Sequence, residues 1–183
     1  TPRSSSAASD VYKRQTRCPS TDIPLNTATP IFISPDKFFI SSGYGTVSGA
    51  SLVQVQEVEG KFKAEALWAN NRMSNLVNSS VFFKDHIYGF DGGILKCLDA
   101  LTGEEKWKGR GFQRGSLIVA DDHLIVLGER GKLALVEATP EEFREVTSIQ
   151  ILDGKCWTSP TLANGKLYLR NQKEMVSLDI QMK

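Results

Sequence analysis

The chain has 183 residues, a formal net charge of +1 and 40% hydrophobic residues, enough apolar material for a core. So small a net charge gives no electrostatic case for nucleic acid or an anionic membrane surface, and no apolar run approaches the roughly 20 residues that cross a bilayer. Three cysteines, Cys18, Cys97 and Cys156, are too few and too scattered for a disulfide framework or a zinc site.

Residues 1–15 (TPRSSSAASDVYKRQ) are polar, rich in Ser and Ala, and without period. They resemble translated adaptor read-through at the ends of metagenomic reading frames, and are read as a non-native or disordered leader. No apolar h-region of a signal peptide is present in them. The expectation is that the natural N-terminus, with any signal peptide or further repeats, lies upstream. Residues 16–28 carry Pro19 and Pro24 among polar residues and read as a linker.

From Thr29 the chain repeats itself. Pro30–Phe39, Ser79–Tyr88, Ser116–Ile125 and Ser159–Tyr168 each read as strand, polar two-residue turn, strand. A third strand recurs as Leu52–Val55, Leu95–Leu98, Leu133–Val136 and Met175–Leu178. A fourth recurs as Ala64–Trp68, Glu105–Trp107 and Glu145–Ile149, and the last repeat stops after its third strand. The clearest unit is His86–Trp107, where Asp91-Gly92-Gly93 joins two apolar runs with hairpin-turn chemistry. The best helical candidate, Thr139–Arg144, is too short for more than one turn. A period of roughly 37 to 49 residues with four strands per unit predicts an all-β propeller of four-stranded antiparallel blades. About four blades are present, approximately 29–71, 72–113, 114–154 and 155–183, as part of a six- to eight-bladed ring.

Leu95–Trp107, reading LKCLDALTGEEKW, resembles the repeat of pyrroloquinoline-quinone (PQQ)-like β-propellers. Asp99, Gly103 and Trp107 carry the resemblance. Trp68 preserves it in the first repeat and Asp179 in the last, while Glu137 replaces the Asp in the third. The resemblance spans residues 29–183, with one repeat matching closely and the others degenerate. It implies that the Trp of the outer strand packs against a glycine-containing turn and closes the blade. Physically, Asp can bond backbone amides two residues on, Gly permits the tight turn, and the indole supplies a large apolar plate.

Candidate chemistry is sparse. His86 and His123 occupy the position that Lys37 and Lys166 fill in the other repeats, which reads as a solvated turn. Cys97 reads as a buried thiol in a strand. Cys156 stands in a connection beside Trp157 and is the better candidate for reactivity. Asp91-Gly92-Gly93 lacks the alternating oxygen ligands of a calcium loop, and no helix follows Gly43-Tyr44-Gly45 to make a phosphate cradle. No catalytic, cofactor-binding or metal residue is assigned. The resemblance to quinoproteins would bring a calcium site, a catalytic Asp and adjacent cysteines, and no adjacent cysteines occur.

If the first strand of each repeat is innermost, the connections after strands two and four open on one face. The resemblance implies that ligands sit over that funnel face. It gathers Arg72, Met73, Asn75, Asn78, Arg114, Arg130, Lys155 and Trp157, a set suited to an anion, a sugar or a peptide. The favoured expectation is a non-catalytic propeller acting as a binding or protein-interaction scaffold. The family includes an outer-membrane assembly lipoprotein that docks partners on its propeller, which implies an extracytoplasmic, periplasmic or outer-membrane-associated setting. The alternative is a fragment of a PQQ- and calcium-dependent alcohol or sugar dehydrogenase whose catalytic blades lie elsewhere. A third reading is carbohydrate handling, with Trp157 stacked on sugar. No nucleic-acid partner and no transmembrane segment are expected.

Overall fold

A computed structural model describes residues 27–44 and 48–180. The 1–15 leader, most of the 16–28 linker, Cys18 and Gly45 lie outside them. The described residues form fifteen strands and no helix. Strands β1 (Ile31–Ser34), β2 (Lys37–Ser42), β3 (Gly49–Val58) and β4 (Lys61–Asn70) make the first sheet in chain order. The second holds β5 (Val81–Phe83), β6 (His86–Asp91), β7 (Ile94–Asp99) and β8 (Glu105–Gly109). The third holds β9 (Ser116–Ala120), β10 (His123–Leu127), β11 (Lys132–Glu137) and β12 (Glu145–Gln150). The last has three strands, β13 (Thr161–Ala163), β14 (Lys166–Arg170) and β15 (Met175–Asp179). Every pairing is antiparallel between sequence neighbours, so each sheet is a meander. These are propeller blades.

The turns follow from residue chemistry. Lys84 and Asp85 have φ of 45° and 63°, and Asp121 and Asp122 have 44° and 60°, the doubly left-handed geometry that suits a twisted two-residue hairpin. Asn164 and Gly165 repeat it at 51° and 71°. Between β6 and β7 the turn narrows to Gly92 and Gly93.

Period-two alternation makes each strand two-faced, and the blades bury both faces against one another. Phe39, Ile87 and Leu98 pack between the first two blades, with Ile31, Ile33 and Trp68 against them. Tyr88, Cys97 and Trp107 meet Leu124, Val126 and Val136 between the second and third. Ile125 and Leu127 meet Leu167 and Leu169 between the third and fourth. The first strands stand side by side, β1 beside β5 and β5 beside β9, on the inner side of the arc.

Three expectations need correction. The third strand of the first repeat is offset by two residues, since Phe38 pairs with Val53 as Ile87 pairs with Leu98. The connection between β2 and β3 is longer than the two-residue turn between β6 and β7, so counting from the motif misplaces the register. His86 and His123 open strands β6 and β10 instead of sitting within turns. Thr139–Arg144 makes no helical turn; its Phe143 ring packs 5.6 Å from that of Trp107.

Candidate functional site

With the first strands innermost, one face carries residues 43–44 and 48 and the connections at 92–93, 128–131 and 171–174 after second strands, and 71–80, 110–115 and 151–160 between blades. Backbone bonds between distant residues stitch them together. The amide of Glu129 donates to Phe112 O at 2.9 Å, Cys156 N to Glu129 O at 2.8 Å, and Ile151 N to Gly131 O at 3.0 Å. Gly131 is required here: its φ is +87°, and a Cβ would stand 1.9 Å from Leu152 O.

This stitching encloses a hollow of about 170 Å³ lined by Gln113, Glu129, Arg130, Gly154 and Lys155. Gln113 has φ 56°, an uncommon conformation for a residue with a Cβ. Beside the hollow, Trp157 donates its indole N–H to Glu129 Oε1 at 2.9 Å, and the Lys155 ammonium lies over the ring 4.1 Å from its centroid. One carboxylate is thus engaged by an indole, and one indole face is covered by a cation. The exposed guanidinium groups of Arg114 and Arg130 have no acidic partner among the described residues. Arg110, on the same connection as Arg114, is also exposed.

The residues gathered from the sequence therefore fall into two groups. Arg114, Arg130, Lys155 and Trp157 lie around or near this hollow. Arg72 does not: its guanidinium donates to Gly103 O at 2.9 Å, and its own carbonyl accepts from Lys96 Nζ at 2.8 Å. Asn75 and Asn78 are buried and work as scaffold, their amides donating to Phe90 O at 3.1 Å and Gly115 O at 3.0 Å. Met73 is fully buried. Gln113 and Glu129 were not singled out from sequence. The left-handed backbone of one and the indole bond of the other depend on folding, and neither leaves a local signal.

On the opposite face a second hollow, about 410 Å³, is bordered by Lys84, His86, Asp122, His123 and Glu137. Each imidazole Nδ1 lies 2.7 Å from a carbonyl two residues back, Lys84 O and Asp121 O. A carbonyl can only accept, so each Nδ1 carries the proton. Lys84 bridges the blades to Asp122 at 2.8 Å, and Glu137 is paired with Arg144. Among the described residues no three His, Cys, Asp or Glu side chains converge to hold a metal ion. Cys97 and Cys156 are both fully buried, and burial raises both thiols, Cys97 to about 12. The burial of Cys156 works against the reactivity expected of it from its place in a connection.

No family model matches the chain, and no curated protein matches it by sequence. Solved structures do match its fold. The computationally designed Ika8 protein aligns with a TM-score of 0.59 at 14% identity, over 78% of this chain and 42% of that one. The designed Ika4 protein aligns at 0.59 and 12% identity, over 91% of this chain and 100% of that one. BamB from Moraxella catarrhalis aligns at 0.52 and 12% identity, over 90% of this chain and 60% of that one. The likeness is one of fold: an all-β, propeller-like arrangement of blades. The chain spans 42% of the Ika8 chain and 60% of the BamB chain.

Proposed function

We propose that this chain is a non-catalytic, PQQ-like propeller module that binds a protein partner through the face carrying Arg114, Arg130, Lys155 and Trp157. The observation that carries the reading is the hollow of about 170 Å³ at Gln113, Glu129 and Arg130. It is below the roughly 300–1,000 Å³ of ordinary small-molecule sites, but a single inserted side chain would fill it. Its surroundings favour an acidic partner segment, because Arg114 and Arg130 offer guanidinium groups that nothing described here neutralises. Loops held by a rigid sheet scaffold suit such work. The resemblance of Leu95–Trp107 to PQQ-like repeats supports an extracytoplasmic setting and supplies the comparison with a partner-docking relative.

The test is titration of a fluorescent hexaglutamate peptide against the full chain, with hexaglutamine as control. Salt-sensitive binding to hexaglutamate that Arg114→Ala and Arg130→Ala each weaken by about fivefold is expected. Equal behaviour of the two peptides would sink the reading. Incubation with PQQ and Ca²⁺ under a dye-linked alcohol oxidation assay addresses the quinoprotein alternative, and turnover there would overturn the non-catalytic assignment.

A further inference from the structure

The turn between β13 and β14 is Asn164-Gly165, and no other asparagine in the chain precedes a glycine. Its φ angles of 51° and 71° match those of the turns at Lys84-Asp85 and Asp121-Asp122. Those two turns belong to blades with a neighbour on either side, and all four of their residues are exposed. Exposure at this place is therefore a property of the hairpin, and Asn164 shares it.

An asparagine side chain has one reaction open to it within its own chain: the next backbone nitrogen can attack the amide carbon. Elsewhere the fold ties up the parts. The side-chain amides of Asn70, Asn75, Asn78 and Asn171 donate to Gly103 O, Phe90 O, Gly115 O and Asp153 O at 2.7–3.1 Å. Asn71 is exposed but is followed by the bulky Arg72. At Asp91-Gly92 the carboxylate is paired with Lys96 at 2.8 Å, and Gly92 N donates to Ser74 O at 3.4 Å. The Asn164 side chain makes no hydrogen bond to any described residue. Gly165 uses its carbonyl, which accepts from Ile180 N at 2.9 Å, and leaves its own nitrogen free. With no Cβ, nothing on Gly165 screens that nitrogen.

We propose that Asn164 is a site of spontaneous deamidation, and that its conversion to isoaspartate loosens β13. Gly165 N bonds to Asn164 Cγ, and the side-chain nitrogen leaves as ammonia, taking up the proton of the Gly165 N–H. Water then opens the five-membered imide at either carbonyl, giving aspartate or isoaspartate. One water is consumed, one ammonia is released, and nothing is oxidised or reduced. In isoaspartate the main chain runs through Cγ and is one carbon longer. The hairpin has little to absorb that carbon. Three residue pairs hold β13 to β14, and the one flanking the turn is Ala163 with Lys166. The Ile180 bond to Gly165 O repeats those of Ala100 to Asp85 O and Ala138 to Asp122 O in the second and third blades. A lengthened turn displaces both anchors. The site is independent of the acidic-segment reading above.

The test is to age the full chain in warm, mildly alkaline buffer, following its peptides by mass spectrometry and isoaspartate by enzymatic methylation. The Asn164 peptide is expected to gain its acidic forms about tenfold faster than the Asn71 peptide, because glycine leaves its nitrogen unscreened. The aged protein should accept methyl groups at residue 164 and melt roughly 2–4 °C lower. Asn164→Lys, which copies Lys84 of the second blade, should accept none there and keep its melting temperature through the same treatment. Conversion of Asn164 in guanidinium but not in native protein would overturn the proposal, since the turn would then protect it. Conversion no faster than at Asn71, or isoaspartate formed without a change in melting, would overturn it as well.

Discussion

Trp68, on the outer strand of the first blade, donates its indole N–H to Ala100 O of the second blade at 3.1 Å. Trp107 repeats the latch one blade on, donating to Thr139 O at 2.6 Å. Each of these two Trp side chains therefore closes onto the connection between the third and fourth strands of the next blade, joining blades as well as finishing one. Gly103 is the contact point: its φ is +68°, and a Cβ would meet the Trp68 ring at 2.8 Å. Gly103→Ala should destabilise the chain by about 1–3 kcal/mol, combining the left-handed backbone with overpacking. Urea unfolding followed by tryptophan fluorescence would measure it, and an unchanged midpoint would contradict the latch.

Lys96 interrupts an apolar strand and is 8% exposed. Its ammonium meets Asp91 Oδ2 at 2.8 Å, Glu105 Oε2 at 3.0 Å and Arg72 O at 2.8 Å. Burial pulls its pKa down, but the hydrogen bonds to the two carboxylates outweigh that and raise it. Lys96→Met keeps the volume, removes the ammonium from Asp91 and the Arg72 carbonyl, and leaves Glu105 with only Lys108, 4.0 Å away. A loss of about 2–3 kcal/mol is expected in chemical denaturation. A neutral effect would mean that the network contributes no net stability.

Acid should weaken the second blade's turn. Burial would raise the Asp99 carboxyl, yet bonds from the Thr102 amide and hydroxyl and the Leu101 amide, together with Lys106, hold it below the usual carboxylate range. Leu101 N and Thr102 N donate to Asp99 Oδ1 at 3.0 and 2.9 Å. Glu145 is likewise lowered, its partial burial outweighed by Lys132 and Ser148. A depressed carboxylate gives stability that is present above its unfolded pKa and lost as pH falls through its folded one. Stability should therefore decline from about pH 4 downward. Asp99→Asn should be less stable than the parent at pH 7 and should flatten that decline. Melting temperatures taken between pH 7 and 2 would show it.

Neither described thiol should react in the folded state. Cys97 and Cys156 are both at 0% exposure, and burial raises both. Iodoacetamide at pH 8 should leave them unmodified in native protein and label both in guanidinium, as read by peptide mass spectrometry. Native labelling of Cys156 would restore it as a candidate reactive group.

Much of the blade architecture could be read from short stretches. Lys84-Asp85, Asp121-Asp122 and Asn164-Gly165 mark hairpins through residues that tolerate positive φ, and the flanking alternation sorts each strand into two faces. The offset of the first repeat's third strand was hidden, because the length of the connection between β2 and β3 changes the count without altering the residue pattern. The site was only half legible. Arg72, Asn75 and Asn78 look like loop donors free for a ligand, but folding commits them to Gly103, Phe90 and Gly115.

The sequence alone determined the strands, their turns and the repeat, because backbone φ preference and period-two alternation act within a few residues. Tertiary structure decided the rest. Gln113, Glu129 and Lys155 border one hollow only because the amides of Glu129 and Cys156 bond to Phe112 and Glu129 across connections remote in sequence. For Asp99 and Trp107, where the motif was plainest, the structure added the partner: the turn closes on its own amides, and the indole closes on the blade that follows.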